Sequence, residues 1–118
     1  MKIITLATLH AATEQEVFDY VAHHLLTQNK KAKADTQCAY RGGDNLKCAA
    51  GCLISDNEYK GSFEGNSWEK LIAKGLVPSD HKALIMNLQN VHDGSSFANW
   101  RNQLSNLADE FSLKFNQG

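Results

Sequence analysis

The chain has 118 residues, a formal net charge of −1 and a hydrophobic share of 42%. This length predicts one compact domain, residues 1–118, that buries enough apolar surface to fold without disulfides. The mixed, near-neutral charge excludes a general nucleic-acid binder, and no apolar run is long enough to span a membrane.

The first residues and the cysteines both bear on the cellular compartment. MKIITLATLHAAT does not fit a signal peptide, because His10 interrupts its short apolar run. The chain has an odd number of cysteines, namely Cys38, Cys48 and Cys52. An odd number argues against a complete disulfide framework and for reduced thiols. The sequence therefore predicts a cytoplasmic protein.

At the start of the chain, the β-branched residues of KIITL, residues 2–6, predict a short strand.

The first helix has a clear start signal. Thr13 and Glu16 have the spacing of a capping box, with a hydroxyl at the N-cap and a carboxylate three residues later. The helix is predicted to run to about Asn29, and its apolar residues at helical spacing are Val17, Phe18, Val21 and Leu25. Since neighbouring helix positions diverge, His23 and His24 are not expected to form a joint site.

The segment CAYRGGDNLKCAAGC, residues 38–52, follows this helix. An alternating stretch, QCAYR, precedes a glycine-rich turn, GGDN, and a second short stretch, LKCA. This order predicts a β-hairpin that passes into a helical turn near Cys48. Gly51 is expected to permit close packing there.

Three further helices are predicted in the second half of the chain. Asn66 and Ser67 cap a short helix that runs through Ala73 and is stopped by Gly75. The next helix has an apolar stripe of Leu84, Ile85, Leu88 and Val91, and ends at residues 92–94. Ser95 or Ser96 caps the last helix, whose inward face is Phe97, Trp100, Leu104, Leu107, Ala108 and Phe111. The predicted fold class is α+β: a mostly helical single domain of about four helices with one small β-hairpin.

Cys38, Cys48, Cys52 and His92 are residue types that suit a tetrahedral zinc site. Their spacing, C-x₉-C-x₃-C with a distant histidine, lacks the close cysteine pair of a zinc knuckle. Cysteine is also among the most buried residue types and often only packs. A metal site is therefore not favoured, and no cofactor is expected.

Cys48 and His92 also suggest a thiol enzyme, since an imidazole or a helix N-terminus activates a thiol by lowering its pKa. However, His92 shares the apolar face of its helix, which is typical of a core histidine. Adjacent helix positions diverge by about 100°, so Asp93 is not expected to orient His92. No catalytic residue is favoured, and the chain is more simply interpreted as a protein without enzymatic activity.

The polar turn offers a binding site instead. Arg41 has donors suited to a carboxylate or phosphate, Tyr40 has a stacking face, and Gly42 and Gly43 could present backbone N–H groups to an anion. In the alternative that we prefer, Arg41 pairs internally with an acid such as Asp93 or Asp44. The glycines then serve only the turn.

Three stretches together resemble a family of small uncharacterised proteins of phages and bacteria: FDYVAHHLLTQNKKA, CAYRGGDNLKCAAGCLI and LQNVHD. Its members are similar in having C-x-YRG…LKCA-x-G-x-LI followed by LQ-x-x-HD, and the likeness runs from about Val17 to Asp93. The resemblance implies an origin but no mechanism. Cys52 occupies a variable place in the pattern, which counts against the zinc site. The positions that the pattern marks are Cys38, Tyr40, Arg41, Cys48, Gln89, His92 and Asp93.

Phage proteins of this size often act by binding, for example to a host enzyme or a defence complex. We therefore expect a non-enzymatic binding protein in the cytoplasm of a bacterial host. It would inhibit a host protein or sequester a small anionic ligand, without general nucleic-acid or membrane binding. The expected contact residues are Tyr40, Arg41, Gly43, Asp44, Gln89, His92 and Asp93. The alternatives are a small cysteine-dependent enzyme using Cys48 and His92, and a structural zinc-binding module.

Overall fold

The structure, a computed structural model, describes residues 3–29, 33–34, 37–42, 46–94 and 99–115, with only the backbone described at 33–34 and 37–38. Over these ranges the protein is a mainly helical domain with four α-helices. They are α1 (Glu14–Gln28), α2 (Trp68–Ala73), α3 (Lys82–Gly94) and α4 (Trp100–Glu110). Helices α1, α3 and α4 pack against one another, and α2 packs against α3. Short 3-10 turns lie at Leu9–Ala11, Gly51–Leu53 and Gly61–Phe63.

Helix α1 has the predicted capping box. The Thr13 hydroxyl accepts a hydrogen bond from the Glu16 N–H at 3.1 Å, and the Glu16 carboxylate accepts one from the Thr13 N–H at 2.9 Å. At the other end, Asn29 adopts the left-handed conformation with φ of 52°, which asparagine tolerates better than most residues. The predicted start and end of α1 are both confirmed.

Helices α2 and α3 also follow the local signals. The Ser67 hydroxyl accepts a hydrogen bond from the Lys70 N–H at 3.1 Å, and Gly75 ends the segment with φ of +72°. Glycine adopts this positive φ without steric cost. The stripe predicted for α3 is confirmed, because Leu84, Ile85, Leu88 and Val91 are all buried.

Helix α4 buries most of its predicted inward face. Its buried residues are Trp100, Leu104, Leu107 and Ala108, and Phe111 packs against the core from its edge. The predicted cap at Ser95 or Ser96 and the predicted core residue Phe97 lie outside the described residues.

A carboxylate ties the first residues of the chain to the loop that precedes α2. Glu58 accepts hydrogen bonds from the backbone N–H groups of Leu6 at 3.0 Å, Ala7 at 2.9 Å and Ser55 at 3.0 Å. Burial acts to raise the pKa of Glu58, but these hydrogen bonds outweigh it and hold the pKa below its usual value. The strand predicted at residues 2–6 is wrong, because described residues 3–5 are irregular and a turn begins at Leu6.

The predicted α+β class with a β-hairpin is wrong, and the described chain has no sheet that carries the fold. Extended pairing is limited to two-residue segments, Lys33–Ala34 with Gln37–Cys38, and to one bridge between Arg41 and Lys47. In place of a neighbouring strand, the Glu64 carboxylate accepts the backbone N–H groups of Tyr40 and Arg41. At the position of the predicted hairpin, the pairing is therefore limited to this bridge, beside which the Gly42 N–H donates to the Leu46 carbonyl at 2.8 Å.

None of the helices in the described ranges is both long and apolar enough to cross a lipid bilayer. The longest of them, α1, has 15 residues and carries charged and polar side chains on its exposed side. A helix needs about 20 mostly apolar residues to span the hydrocarbon core.

Candidate functional site

A cleft of about 250 Å³, the α3–loop cleft, lies between α3 and two further segments, the loop residues 39–40 and residues 65–68, which lead into α2. Four of the residues that the sequence singles out line it: Tyr40, Cys48, Gln89 and Asp93. The structure adds Trp68, Met86 and Asn90, together with four smaller or polar residues of the loops. The cleft combines an apolar wall with a few polar groups, which is the usual composition of a binding site.

Tyr40 forms one wall of the cleft and is held at three points. Its N–H donates to Glu64 at 3.0 Å, and its hydroxyl donates to the Asn66 carbonyl at 2.6 Å. Its ring lies 6.4 Å from that of Trp68, centroid to centroid. Burial raises the pKa of Tyr40 well above its usual value, so the phenol stays a neutral donor.

Gly51 brings the 3-10 turn directly against the backbone of Tyr40. A Cβ atom at this position would lie 2.9 Å from the Tyr40 carbonyl carbon and closer still to the carbonyl oxygen. No side chain larger than hydrogen fits there without a backbone shift. The predicted close packing at Gly51 is confirmed.

Arg41 points away from the cleft into a network of its own. Its guanidinium donates to the Asp56 carboxylate at 2.7 Å and to the Ile54 carbonyl at 2.9 Å. It also lies over the Tyr59 ring, 4.7 Å from the centroid. The preferred internal pairing is confirmed, with Asp56 as the acid. Gly43 and Asp44 lie outside the described residues.

Replacing Arg41 with alanine is expected to lower the free energy of unfolding by about 1–2 kcal/mol, because the Ile54 carbonyl loses its donor and Tyr59 loses its stacked cation. Asp56→Ala should cost less than about 0.5 kcal/mol, since the Asp56 side chain is 84% exposed. Urea unfolding of both variants measures the difference. Equal effects would mean that the ion pair alone accounts for the role of Arg41.

Gln89, Asp93 and His92 form a hydrogen-bonded set at the end of α3. Asp93 Oδ1 accepts from Gln89 Nε2 at 2.8 Å and lies 2.7 Å from His92 Nδ1. Gln89 also accepts the Ala50 N–H at 2.9 Å, which links α3 to the cysteine-containing turn. Of the three, His92 is fully buried, while the Asp93 side chain is 41% exposed.

The positions of these three side chains test two predictions about His92. The core histidine is confirmed, because its ring is buried and stacks on Trp100 at 5.5 Å between centroids. The expectation that Asp93 does not orient His92 is wrong. The two side chains diverge at their α-carbons, but Nδ1 and Oδ1 still come within 2.7 Å of each other.

Cys48 and Cys52 are buried free thiols. Cys48 Sγ accepts the Gly51 N–H at 3.2 Å, and Cys52 Sγ donates to the Ala49 carbonyl at 3.0 Å. Burial raises the pKa of Cys48 to about 12 and also raises that of Cys52. Both groups are therefore neutral thiols, which are poor nucleophiles.

The zinc alternative can be compared with the part of the chain that the structure describes. Over those residues, no three His, Cys, Asp or Glu side chains are grouped so that they could hold a metal ion. Cys48, Cys52 and His92 belong to this part, whereas the side chain of Cys38 lies outside it. The described geometry assigns Cys48 and Cys52 to packing.

We expect iodoacetamide to label Cys48 and Cys52 at least roughly a hundredfold more slowly in the folded protein than in urea, because labelling requires an exposed thiolate. Mass spectrometry of the cysteine-containing peptides follows each thiol separately. Labelling of Cys48 at the rate of the unfolded chain would instead restore the thiol-enzyme alternative.

Two further depressions were not predicted from the sequence. The α3–α4 groove, about 160 Å³, is lined by the carboxamides of Asn87, Asn90, Gln103 and Asn106, and by Val91, Leu107 and Glu110. Polar residues on helices are usual on any solvated face, so the sequence carried no signal for a groove. Asn90 lines both this groove and the α3–loop cleft.

The other depression, about 390 Å³, lies beside α1 and includes His23, His24 and Lys47. His24 Nε2 donates to the Lys47 carbonyl at 2.9 Å, and burial lowers the pKa of His24. The imidazole is therefore held neutral and does not attract an anion. His23 is exposed while His24 is half-buried, as predicted from their divergence on the helix.

In comparisons with known proteins, no family model, no curated protein and no solved structure matches this chain. The resemblance to the phage and bacterial family therefore stays a prediction from the motif.

Proposed function

We propose that the protein is a non-catalytic binding protein of phage type, which acts in the cytoplasm of the bacterial host and inhibits a host protein. The observation that supports this proposal is the convergence of distant residues in one open cleft. Tyr40 comes from the loop after α1, whereas Gln89 and Asp93 come from α3. The cleft presents aromatic surface beside polar side chains, a combination common at the centre of protein interfaces.

The state of the reactive groups favours binding over catalysis. The Cys48 thiol is buried and neutral, and the His92 imidazole is fully buried. A nucleophile or general base must reach the substrate within hydrogen-bonding distance. These two groups serve the packing of the cleft floor and of α3 instead.

The charge of the cleft favours a host protein over a small anionic ligand. Asp93 is the charged residue among its described lining residues, and neither lysine nor arginine is present among them. Arg41, the expected anion donor, is held by Asp56 and the Ile54 carbonyl. Of the charged side chains that line the described cleft, an anion would face the Asp93 carboxylate.

Asn90→Trp tests the proposal, because Asn90 is exposed on α3 and lines the cleft. Proteins enriched from a bacterial lysate by the wild type are quantified by mass spectrometry, and binding of the purified candidate is then measured by calorimetry. We expect the indole to obstruct the cleft and weaken binding at least about tenfold.

Asn102→Trp is the matched control. Asn102 is likewise an exposed asparagine, but it lies on α4 and lines none of the three depressions described above. Both variants should keep the free energy of unfolding within about 0.5 kcal/mol of the wild type. If no host protein distinguishes the two variants, the proposed function is wrong.

A further inference from the structure

The α3–loop cleft and the α3–α4 groove lie on the two sides of one helix and meet at Asn90. Met86 and Asp93, four positions before and three after Asn90, line the cleft. Asn87 and Val91 line the groove. Positions three and four apart are neighbours on a helix surface, so the exposed side of α3 is a continuous path between the two depressions.

The charged residues that line this path have one sign. Among the described lining residues, Asp93 is the charged group of the cleft and Glu110 is that of the groove. The depression beside α1 differs, because its charged residue is Lys47. A partner that crosses α3 therefore meets negative charge at both ends of its path, which favours a segment with positive charge.

The groove has the hydrogen-bonding chemistry that suits a polypeptide backbone. Four residues with carboxamide side chains line it, Asn87, Asn90, Gln103 and Asn106, of which Asn87 already donates to the Ala83 carbonyl at 2.7 Å. Each carboxamide has both a donor and an acceptor group, as does each peptide unit of an extended chain. The cleft adds an apolar wall of Tyr40, Trp68 and Met86, which suits an apolar anchor side chain.

We propose that the host protein binds through an extended, basic segment that crosses α3 at Asn90 and occupies the α3–loop cleft and the α3–α4 groove together. This inference rests on the proposed function and specifies the chemistry of the partner. An apolar side chain of the segment enters the cleft beside Met86, and its lysine or arginine side chains lie near Asp93 and Glu110.

A display library of random linear peptides, selected on the wild-type protein and counter-selected on Asn90→Trp, provides the probes. Selected peptides are synthesised, and their binding is followed by fluorescence anisotropy. We expect an excess of lysine and arginine in them, and binding that weakens as salt is added. Enrichment of acidic or uncharged peptides, or no enrichment, overturns the inference.

Paired variants test whether one segment occupies both depressions. Glu110→Gln in the groove should weaken a selected peptide about two- to fivefold, whereas Asp109→Asn beside it should leave binding unchanged. Met86→Lys in the cleft should weaken the same peptide at least about tenfold, and Asn102→Lys, which adds the same charge on α4, should not. Urea unfolding of Met86→Lys checks its fold, and Glu110→Gln changes only an exposed residue.

If the binding of the selected peptides is weakened only by the cleft variant or only by the groove variant, the proposal that one segment occupies both depressions is wrong. The two proposals fail separately. A host protein that is lost on Asn90→Trp but binds through an acidic or uncharged segment contradicts only this inference. The absence of any Asn90-dependent host protein contradicts the proposed function.

Discussion

Gly51→Ala is expected to lower the free energy of unfolding by about 3 kcal/mol, the upper end of the usual cost of overpacking. The new methyl group would meet the Tyr40 carbonyl, which is backbone and does not move aside as a flexible side chain does. The shift would also disturb the Tyr40 wall of the α3–loop cleft. Urea unfolding monitored by circular dichroism measures the change.

Gly61→Ala is the control for this prediction. Gly61 also lies in a 3-10 turn, but a Cβ atom there would have no described atom within 4 Å. We expect the stability of this variant to change by less than about 0.5 kcal/mol. If both variants lose the same stability, the effect comes from the turn conformation and not from the approach of Tyr40.

Glu64→Ala is expected to cost about 2–4 kcal/mol, because one carboxylate accepts three hydrogen bonds. The donors are the N–H of Tyr40 at 3.0 Å, the N–H of Arg41 at 3.1 Å and the hydroxyl of Tyr59 at 2.6 Å. Burial and the hydrogen bond to Glu64 raise the pKa of Tyr59 to about 12, so its hydroxyl remains a donor at neutral pH. Without Glu64, these donors lose the acceptor that replaces a neighbouring strand.

Glu69→Ala provides the comparison, since the partner of the Glu69 carboxylate is a cation at the protein surface and not a set of backbone and hydroxyl donors. Its carboxylate lies 2.9 Å from the Lys82 ammonium and its side chain is 61% exposed. We expect a loss below about 1 kcal/mol by the same unfolding measurement. Similar losses for the two glutamates would show that the Glu64 hydrogen bonds add little to stability.

The two large predictions concern opposite sides of one residue. Gly51 supports the carbonyl side of Tyr40, and Glu64 holds its N–H. Both contacts fix the aromatic wall of the cleft before any partner arrives. A wall that is already in place reduces the entropy that a partner must lose on binding.

Local patterns in the sequence were enough to predict where the helices begin and end and which side of each faces the core. The Thr13 and Ser67 caps act within one helical turn, and the apolar stripe of α3 repeats at the helical period. The capping hydrogen bonds, and the contacts between successive residues of the stripe, involve residues at most four positions apart. Neighbours in sequence are therefore enough to specify them.

The sequence also marked some residues of the candidate site without fixing their partners. Tyr40, Cys48, Gln89 and Asp93 were singled out, and all four line one cleft. The contact between His92 and Asp93 was not predicted from the sequence. The direction in which each side chain leaves its α-carbon does not determine where the polar atoms of the two side chains meet. Short polar side chains near a helix end meet at distances that helical phase alone does not give.

The loss of the predicted hairpin and the direction of Arg41 result from contacts between residues that are distant in sequence. The Glu64 carboxylate, 23 residues from Arg41, accepts the N–H groups that a paired strand would use. Asp56, 15 residues from Arg41, takes the guanidinium, and Asn90 joins two depressions that exist only once α3 is packed. Such contacts depend on which distant groups the packed core brings within hydrogen-bonding reach, and local propensity carries no information about that distance.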